Sequence, residues 1–382
     1  MKDNVSINLN KRNVTEFTAG TRSIRSRLCP GIGGCSRFAV LELSTKAVKL
    51  LIGNDDEVIK ENLNALAEGR QGVRFSFSNF FRTTDKVEAG KGLDSQNVMS
   101  MDYFSRRVMW SILDKKNIML DKGIDTVYTI ATAAYRTAAN RDEVLDFIRE
   151  RARINVRILT KEEEANATLF AYFFTTVYRV QLQQAKKVIM IDQGGGSTEV
   201  SVFKGCNGGD GKPYSINLGT TALRNFLFKD SRADTPLELA FKNSDRKIAE
   251  RLRTFYVNMD ECMSASGEVF CIAVGTAITS AAGRGGNAKQ HDKTLTKEDI
   301  CERIKKAEET VLARVKTVGE LDAELERLGP NDPYDREVTV RLGLPMFMVL
   351  MEKYQMSEIH ISGAGLWYGI YLQRLMGMLK ED

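Results

Sequence analysis

The segment that most restricts how this chain folds is 187–203, KVIMIDQGGGSTEVSVF. Val188 to Ile191 are long or β-branched apolar residues without helical spacing, the pattern of a strand buried on both faces. Gly194, Gly195 and Gly196 then turn the chain sharply and leave backbone N–H groups uncovered. Ser197 and Thr198 add hydroxyls before a second β-type run opens at Glu199. A bare turn of this kind suits oxyanions, because nothing obstructs their approach to the amides. Asp192 and Glu199, one on each side, have the hard oxygens to hold a cation against bound phosphate. Taken alone, the same residues also fit a simple glycine hairpin with exposed carboxylates.

The layout occurs a second time. Residues 38–52, FAVLELSTKAVKLLI, run from an apolar stretch through an acid, Glu42, and a small hydroxyl-rich turn at Ser44 and Thr45 into another apolar stretch. The acids at positions 42 and 192 stand half a chain apart, so two copies of one supersecondary unit open two halves of similar size. The repeat predicts two related α/β domains facing each other across a phosphate cleft.

At 382 residues the chain is long enough for two domains, each burying its own core. Its 43% hydrophobic and 27% charged residues are those of a soluble globular protein. No charge-free apolar stretch reaches about 18 residues. The start has no signal-peptide core, so a cytoplasmic protein without a membrane partner is expected. LFAYFFTTVY at 169–178 has the length of a buried helix, not of a span. Six cysteines without C-x-x-C spacing support neither a zinc site nor a disulfide framework. Of the two histidines, His291 lies in a polar loop and His360 in a strand-like EIHIS run, so surface and core placements are favoured over catalysis. A net charge of +5 does not mark a nucleic-acid binder, and no DNA partner is expected. The basic excess is local: Lys2, Lys11, Arg12, Arg22, Arg25, Arg27 and Arg37 stand against Asp3 and Glu16. Residues 1–36 therefore read as a basic, solvated extension, the alternative being a grip on an anionic ligand or partner.

Between the hairpins the pattern alternates. Strands are expected at 72–81, 125–132 and 155–159, and helices at 96–121, at 140–153 and from Lys161 onward. Helices at 234–263, 296–328, 336–355 and 364–380 and short strands at 269–274 and 357–362 complete the second half, with loops at 204–213 and 283–293.

The D-Q-G-G-G-S-T-E segment and ATAAYRTAANRDEVLDFIRERARINVRILTKEEEA at 131–165 together resemble the exopolyphosphatase and guanosine pentaphosphate phosphatase (Ppx/GppA) family. Weaker similarity continues through SINLGTTALRNF, AVGTAITSAA and RLGLPMFMVLMEKYQMSEIHISGAGLWYGIYL, so the resemblance covers about 37–380. It implies two duplicated actin-like, ribonuclease H-like domains of the sugar kinase and actin superfamily with an interdomain cleft, in the short form without a histidine–aspartate metal domain. Domain I is expected at 37–166 and domain II at 167–382, with the last helix able to pack back on domain I.

The resemblance implies a phosphohydrolase that releases terminal phosphate from inorganic polyphosphate or guanosine pentaphosphate with Mg2+. The phosphate ligands it implies are Arg136, Gly194, Gly195, Gly196, Ser197 and Thr198, with Ser44, Thr45 and Lys46 in the first loop. Asp192, Glu199 and Glu42 are the expected metal ligands, and Glu164 of the E-E-A motif the base or water-orienting group. Thr160 and Glu163 have capping-box spacing, so the acids at 162–164 also fit a helix amino terminus. A homodimer is suggested by family analogy.

Several residues depart from the family pattern. The first loop, usually D-x-G-S-N-S followed by a basic residue, reads Glu42, Leu43, Ser44, Thr45, Lys46, Ala47 and then Lys49 here. Asn166 replaces an arginine, the loop at 273–279 lacks a second glycine, and Gly363, Trp367 and Tyr368 stand where Asp, Arg and Glu are common. These changes motivate an alternative function: a catalytically weakened family member that binds polyphosphate or guanosine nucleotides as a regulator.

Overall fold

The computed structural model describes residues 37–379 apart from 55, 68–69, 71–72, 74–75, 125, 205–211, 264–268, 284–286 and 329–331. The basic extension expected at 1–36 lies outside the described residues.

The chain separates into two compact units. The first runs to Gln184 and takes back the end of the chain from Ala364; the second comprises Ala185–Gly205 and Lys212–Gly363. The division falls at 184/185, whereas the sequence suggested 166/167. The reason is packing: helix Lys161–Thr175 lies against helix Leu366–Leu375, and both belong to the first unit. A Cβ on Gly369 would stand 1.8 Å from the Ala167 carbonyl oxygen, so the two helices approach at a distance only glycine permits.

In the first unit, β1 (Phe38–Leu43), β2 (Ala47–Gly53), β3 (Phe80–Lys86), β4 (Thr126–Ala131) and β5 (Arg157–Ile158) form a sheet ordered β3-β2-β1-β4-β5. β1 pairs antiparallel with β2 and parallel with β4. β1 is buried along its whole length, Glu42 included, as its largely apolar run suggests. The third strand sits at 80–86, not at 72–81, because Phe77–Asn79 forms a 3-10 turn capped by Ser76.

In the second unit, β6 (Lys187–Gln193), β7 (Thr198–Lys204), β8 (Lys212–Ile216), β9 (Val269–Gly275), β10 (Thr294–Thr296) and β11 (Glu358–Ile361) follow the order β8-β7-β6-β9-β11-β10. Apart from the added edge strand β10, this is the first sheet again: an antiparallel hairpin, a third antiparallel strand beyond it, and two parallel strands on its other side. Each sheet has its own apolar core.

The greasy window at 169–178 is helical through Thr175, with Phe170, Phe173 and Phe174 buried. Among the described residues no helix is long and apolar enough to cross a membrane. The helix expected over 296–328 is two, Lys297–Leu312 and Val318–Leu328. Thr317 restarts it by accepting from the Glu320 N–H at 3.3 Å.

Candidate functional site

The two hairpin turns are built alike. In the second, Gly194 donates its N–H to the Ser197 carbonyl at 2.9 Å. The carbonyls of Gly194, Gly195 and Gly196 accept from the N–H groups of Thr220, Thr221 and Gly219, at the start of helix Thr220–Asp230, over 3.0, 2.8 and 3.3 Å. In a trans peptide the C=O and the following N–H point oppositely. Drawing three carbonyls toward the helix therefore aims the N–H groups of Gly195, Gly196 and Ser197 the other way. Among the described residues those three amides have no hydrogen-bond partner. Gly219 makes the arrangement possible, since a Cβ there would stand 2.4 Å from the Gly195 oxygen.

In the first turn, Ser44 donates its N–H to the Ala47 carbonyl at 2.9 Å, and Thr45 and Lys46 offer their carbonyls to the N–H groups of Gly90 and of Val87 and Glu88. One amide is lost to an incoming anion, because the Ala47 N–H donates to Ser44 Oγ at 3.1 Å. Ser44, where the second turn has Gly194, thus closes its own turn.

Asp192 and Glu199 are directly opposed across β6 and β7, and Glu42 and Lys49 hold the same places across β1 and β2. Opposed residues of an antiparallel pair project from the same face. The second hairpin therefore presents two carboxylates together, and the first presents an acid and a base. Glu199 Oε1 accepts from Ser197 Oγ at 2.7 Å and Ser215 Oγ at 2.9 Å. The expected metal ligand Glu42 is buried and bonded through Oε1 to Lys49 Nζ at 2.6 Å, so an ammonium already neutralises it. Among the described residues no group of three or more His, Cys, Asp or Glu side chains converges to hold a metal. The two-carboxylate face at Asp192 and Glu199 fits Mg2+, which commonly takes one or two carboxylates and completes its shell with water and phosphate.

Some hydroxyls expected on phosphate are engaged elsewhere. Ser197 donates to Glu199, Thr198 donates to the Leu218 carbonyl at 3.1 Å, and Ser44 donates to Ala47.

Arg136 and Glu164 are brought together. Arg136 lies in helix Ala133–Thr137, just after β4, and Glu164 in the first turn of helix Lys161–Thr175. The Arg136 guanidinium donates to Glu164 Oε1 and also to the Leu159 carbonyl at 2.6 Å. Capping belongs to Glu163, which completes the box with Thr160 and also pairs with Arg157 at 2.6 Å. Glu164 is therefore not needed as the cap. Beside Arg136, burial raises the pKa of the Tyr135 phenol and keeps it neutral.

Neither histidine adjoins these groups along the chain. His360 stacks on Phe270 with centroids 4.1 Å apart, and burial lowers its pKa. His291, expected in a surface loop, is largely buried and accepts the Gly363 N–H at 3.0 Å. Gly219, and Lys49 as the partner of Glu42, are what sequence reasoning did not single out. The seven-residue spacing from acid to partner, shared by 42–49 and 192–199, is the signal that points to Lys49.

The sequence profile of the Ppx/GppA phosphatase family matches residues 67–377. A relative from Photobacterium profundum named guanosine-5'-triphosphate,3'-diphosphate pyrophosphatase is 24% identical over 307 residues, covering 78% of this chain and 54% of the relative. The chain thus spans about half the length of that curated relative. Among solved structures, an Aquifex aeolicus Ppx/GppA family member aligns at a TM-score of 0.60 and 18% identity, over 90% of this chain and 99% of its own. An exopolyphosphatase from Cytophaga hutchinsonii aligns at 0.64 and 16%, over 89% and 98%. These alignments carry the fold, two α/β units each built on a mixed sheet. With its profile match across most of the sequence, the chain belongs to the Ppx/GppA phosphatase family.

Proposed function

We propose that this chain is a phosphoanhydride hydrolase that removes terminal phosphate from inorganic polyphosphate or a guanosine pentaphosphate-like nucleotide. The observation that carries the reading is the second turn: three consecutive N–H groups without partners among the described residues, flanked by the opposed carboxylates Asp192 and Glu199. Such a hydrolysis needs a fixed phosphoryl group, neutralised charge and a positioned water. The Gly195, Gly196 and Ser197 amides answer the first need. Asp192 and Glu199 would hold Mg2+, which when bound offsets charge on the phosphate oxygens. On the first unit, Arg136 has a fork of N–H donors suited to phosphate oxygens. Glu164 orients the water and accepts its proton; its ion pair with Arg136 keeps the carboxylate aimed.

The alternative, a weakened family member that binds without turnover, draws support from the first turn, where Ser44 occupies the Ala47 amide and Lys49 occupies Glu42. Phosphate release from polyphosphate and from guanosine pentaphosphate, with magnesium, separates the two. Release by the native chain well above that of Glu164→Gln supports the hydrolase; binding of either ligand with no release above that background supports the regulator.

A further inference from the structure

On the first unit, two residues that depart from the family pattern, Trp367 and Tyr368, stand beside two cations, Lys49 and Arg82. Lys49 and Arg82 project from the same face of the sheet, because Lys49 opposes Thr84 and Leu51 opposes Arg82 across β2 and β3. Helix Leu366–Leu375 packs over β1 and β2. There Lys49 Nζ stands 5.7 Å from the centroid of the half-buried Trp367 ring. Trp367 meets Tyr368 edge-on at 5.6 Å, and the Tyr368 hydroxyl accepts from the exposed Arg82 at 3.0 Å. Arg82 in turn lies 5.7 Å from the Phe77 ring. Cations thus alternate with aromatic rings, the arrangement that binds a base by stacking and its phosphates by charge.

A second observation bears on the ligand. Glu42 Oε1 is held by Lys49, but Oε2 is buried and has no partner among the described residues. This acceptor needs a donor. Inorganic polyphosphate offers acceptor oxygens and almost no donors near neutral pH, whereas a nucleotide brings ribose hydroxyls and base N–H groups.

We propose that Trp367, with Lys49 beside it and Arg82 held on the neighbouring Tyr368, is a stacking platform for a nucleotide base, which makes nucleoside polyphosphate, rather than bare polyphosphate, the preferred ligand of this chain. The proposal rests on the phosphoanhydride hydrolase reading for its ligand class and specifies it further. Trp367 then acts as a specificity-determining residue.

The chain has two tryptophans, so Trp110→Phe leaves Trp367 as the sole reporter. In that variant, with magnesium, guanosine 5'-(β,γ-imido)triphosphate is expected to quench emission and to bind about tenfold more tightly than inorganic tripolyphosphate. By calorimetry, Trp367→Ala should cost the nucleotide about tenfold in affinity and leave tripolyphosphate unchanged, while Trp367→Tyr keeps most of the preference. Equal affinity for the two ligands, or an equal loss for both in Trp367→Ala, overturns the platform. Phosphate release from tripolyphosphate and from guanosine triphosphate by the native chain separates the two levels. A nucleotide preference in binding without any release refutes the hydrolase and keeps the platform, and release from both with no preference does the reverse.

Discussion

The two hairpin turns of this protein have the same backbone and different chemistry. Position for position, the hydrogen bonds that close them match: Gly194 to Ser197 in one, Ser44 to Ala47 in the other, each with its carbonyls bonded to a neighbouring segment. What differs is who occupies the outward side. Glycine leaves the second turn's amides to a ligand, and serine takes one back in the first. Opposed carboxylates invite a cation in the second hairpin, and an internal lysine removes the need for one in the first. A duplicated scaffold can therefore keep its geometry while the chemistry of its two copies diverges, with two opposed carboxylates in one and an acid paired to a lysine in the other.

That contrast can be broken at four points. The largest effect is expected from Glu164→Gln, which leaves the bonds at both turns in place and should lower kcat by about 10²–10⁴-fold in a phosphate-release assay. Next, Asp192→Asn should lower kcat by about 10²–10³-fold and raise the magnesium needed for half-maximal rate. Glu42→Gln should change that magnesium requirement far less; an equal change would mean the first acid is also a cation ligand. Third, Gly219→Ala should destabilise the chain by about 1–3 kcal/mol in a denaturant titration, because its Cβ meets a backbone oxygen. Gly90→Ala, whose Cβ would meet the Thr45 methyl at 2.6 Å, should cost less because a side chain can rotate away. Smallest is a gain: Ser44→Gly frees the Ala47 amide and should tighten tripolyphosphate binding by roughly 2- to 10-fold, the value of about one hydrogen bond.

Much of this was legible in the sequence, for physical reasons that differ by element. The hairpins at 38–53 and 187–204 declare themselves because their mostly buried first strands carry apolar runs at 38–41 and 188–191. β8 and β10 do not, since KPYSI and TLT are short, polar edge strands whose pairing is set by their neighbours. The break between Lys297–Leu312 and Val318–Leu328 carried a signal in the T-V-G-E spacing of Thr317 and Glu320, without any proline to draw attention to it. Thr160 and Glu163 could be paired from spacing alone, but the Arg136 to Glu164 bond spans 28 residues and the Arg82 to Tyr368 bond 286, distances over which only the fold decides. The hydroxyls of Ser197 and Thr198 illustrate the converse. Their residue types suit phosphate, yet their hydrogens are directed to Glu199 and Leu218 by the strand pairing around them.

The central claim is that the second turn is the anion cradle and that its backbone amides do the binding. Amide-resolved NMR of the isotope-labelled chain, titrated with tripolyphosphate and magnesium, reads this directly. The Gly195, Gly196 and Ser197 amide protons are predicted to move downfield together, with smaller shifts at residues 44–47. No movement at 195–197, or larger movement in the first turn than in the second, would contradict it.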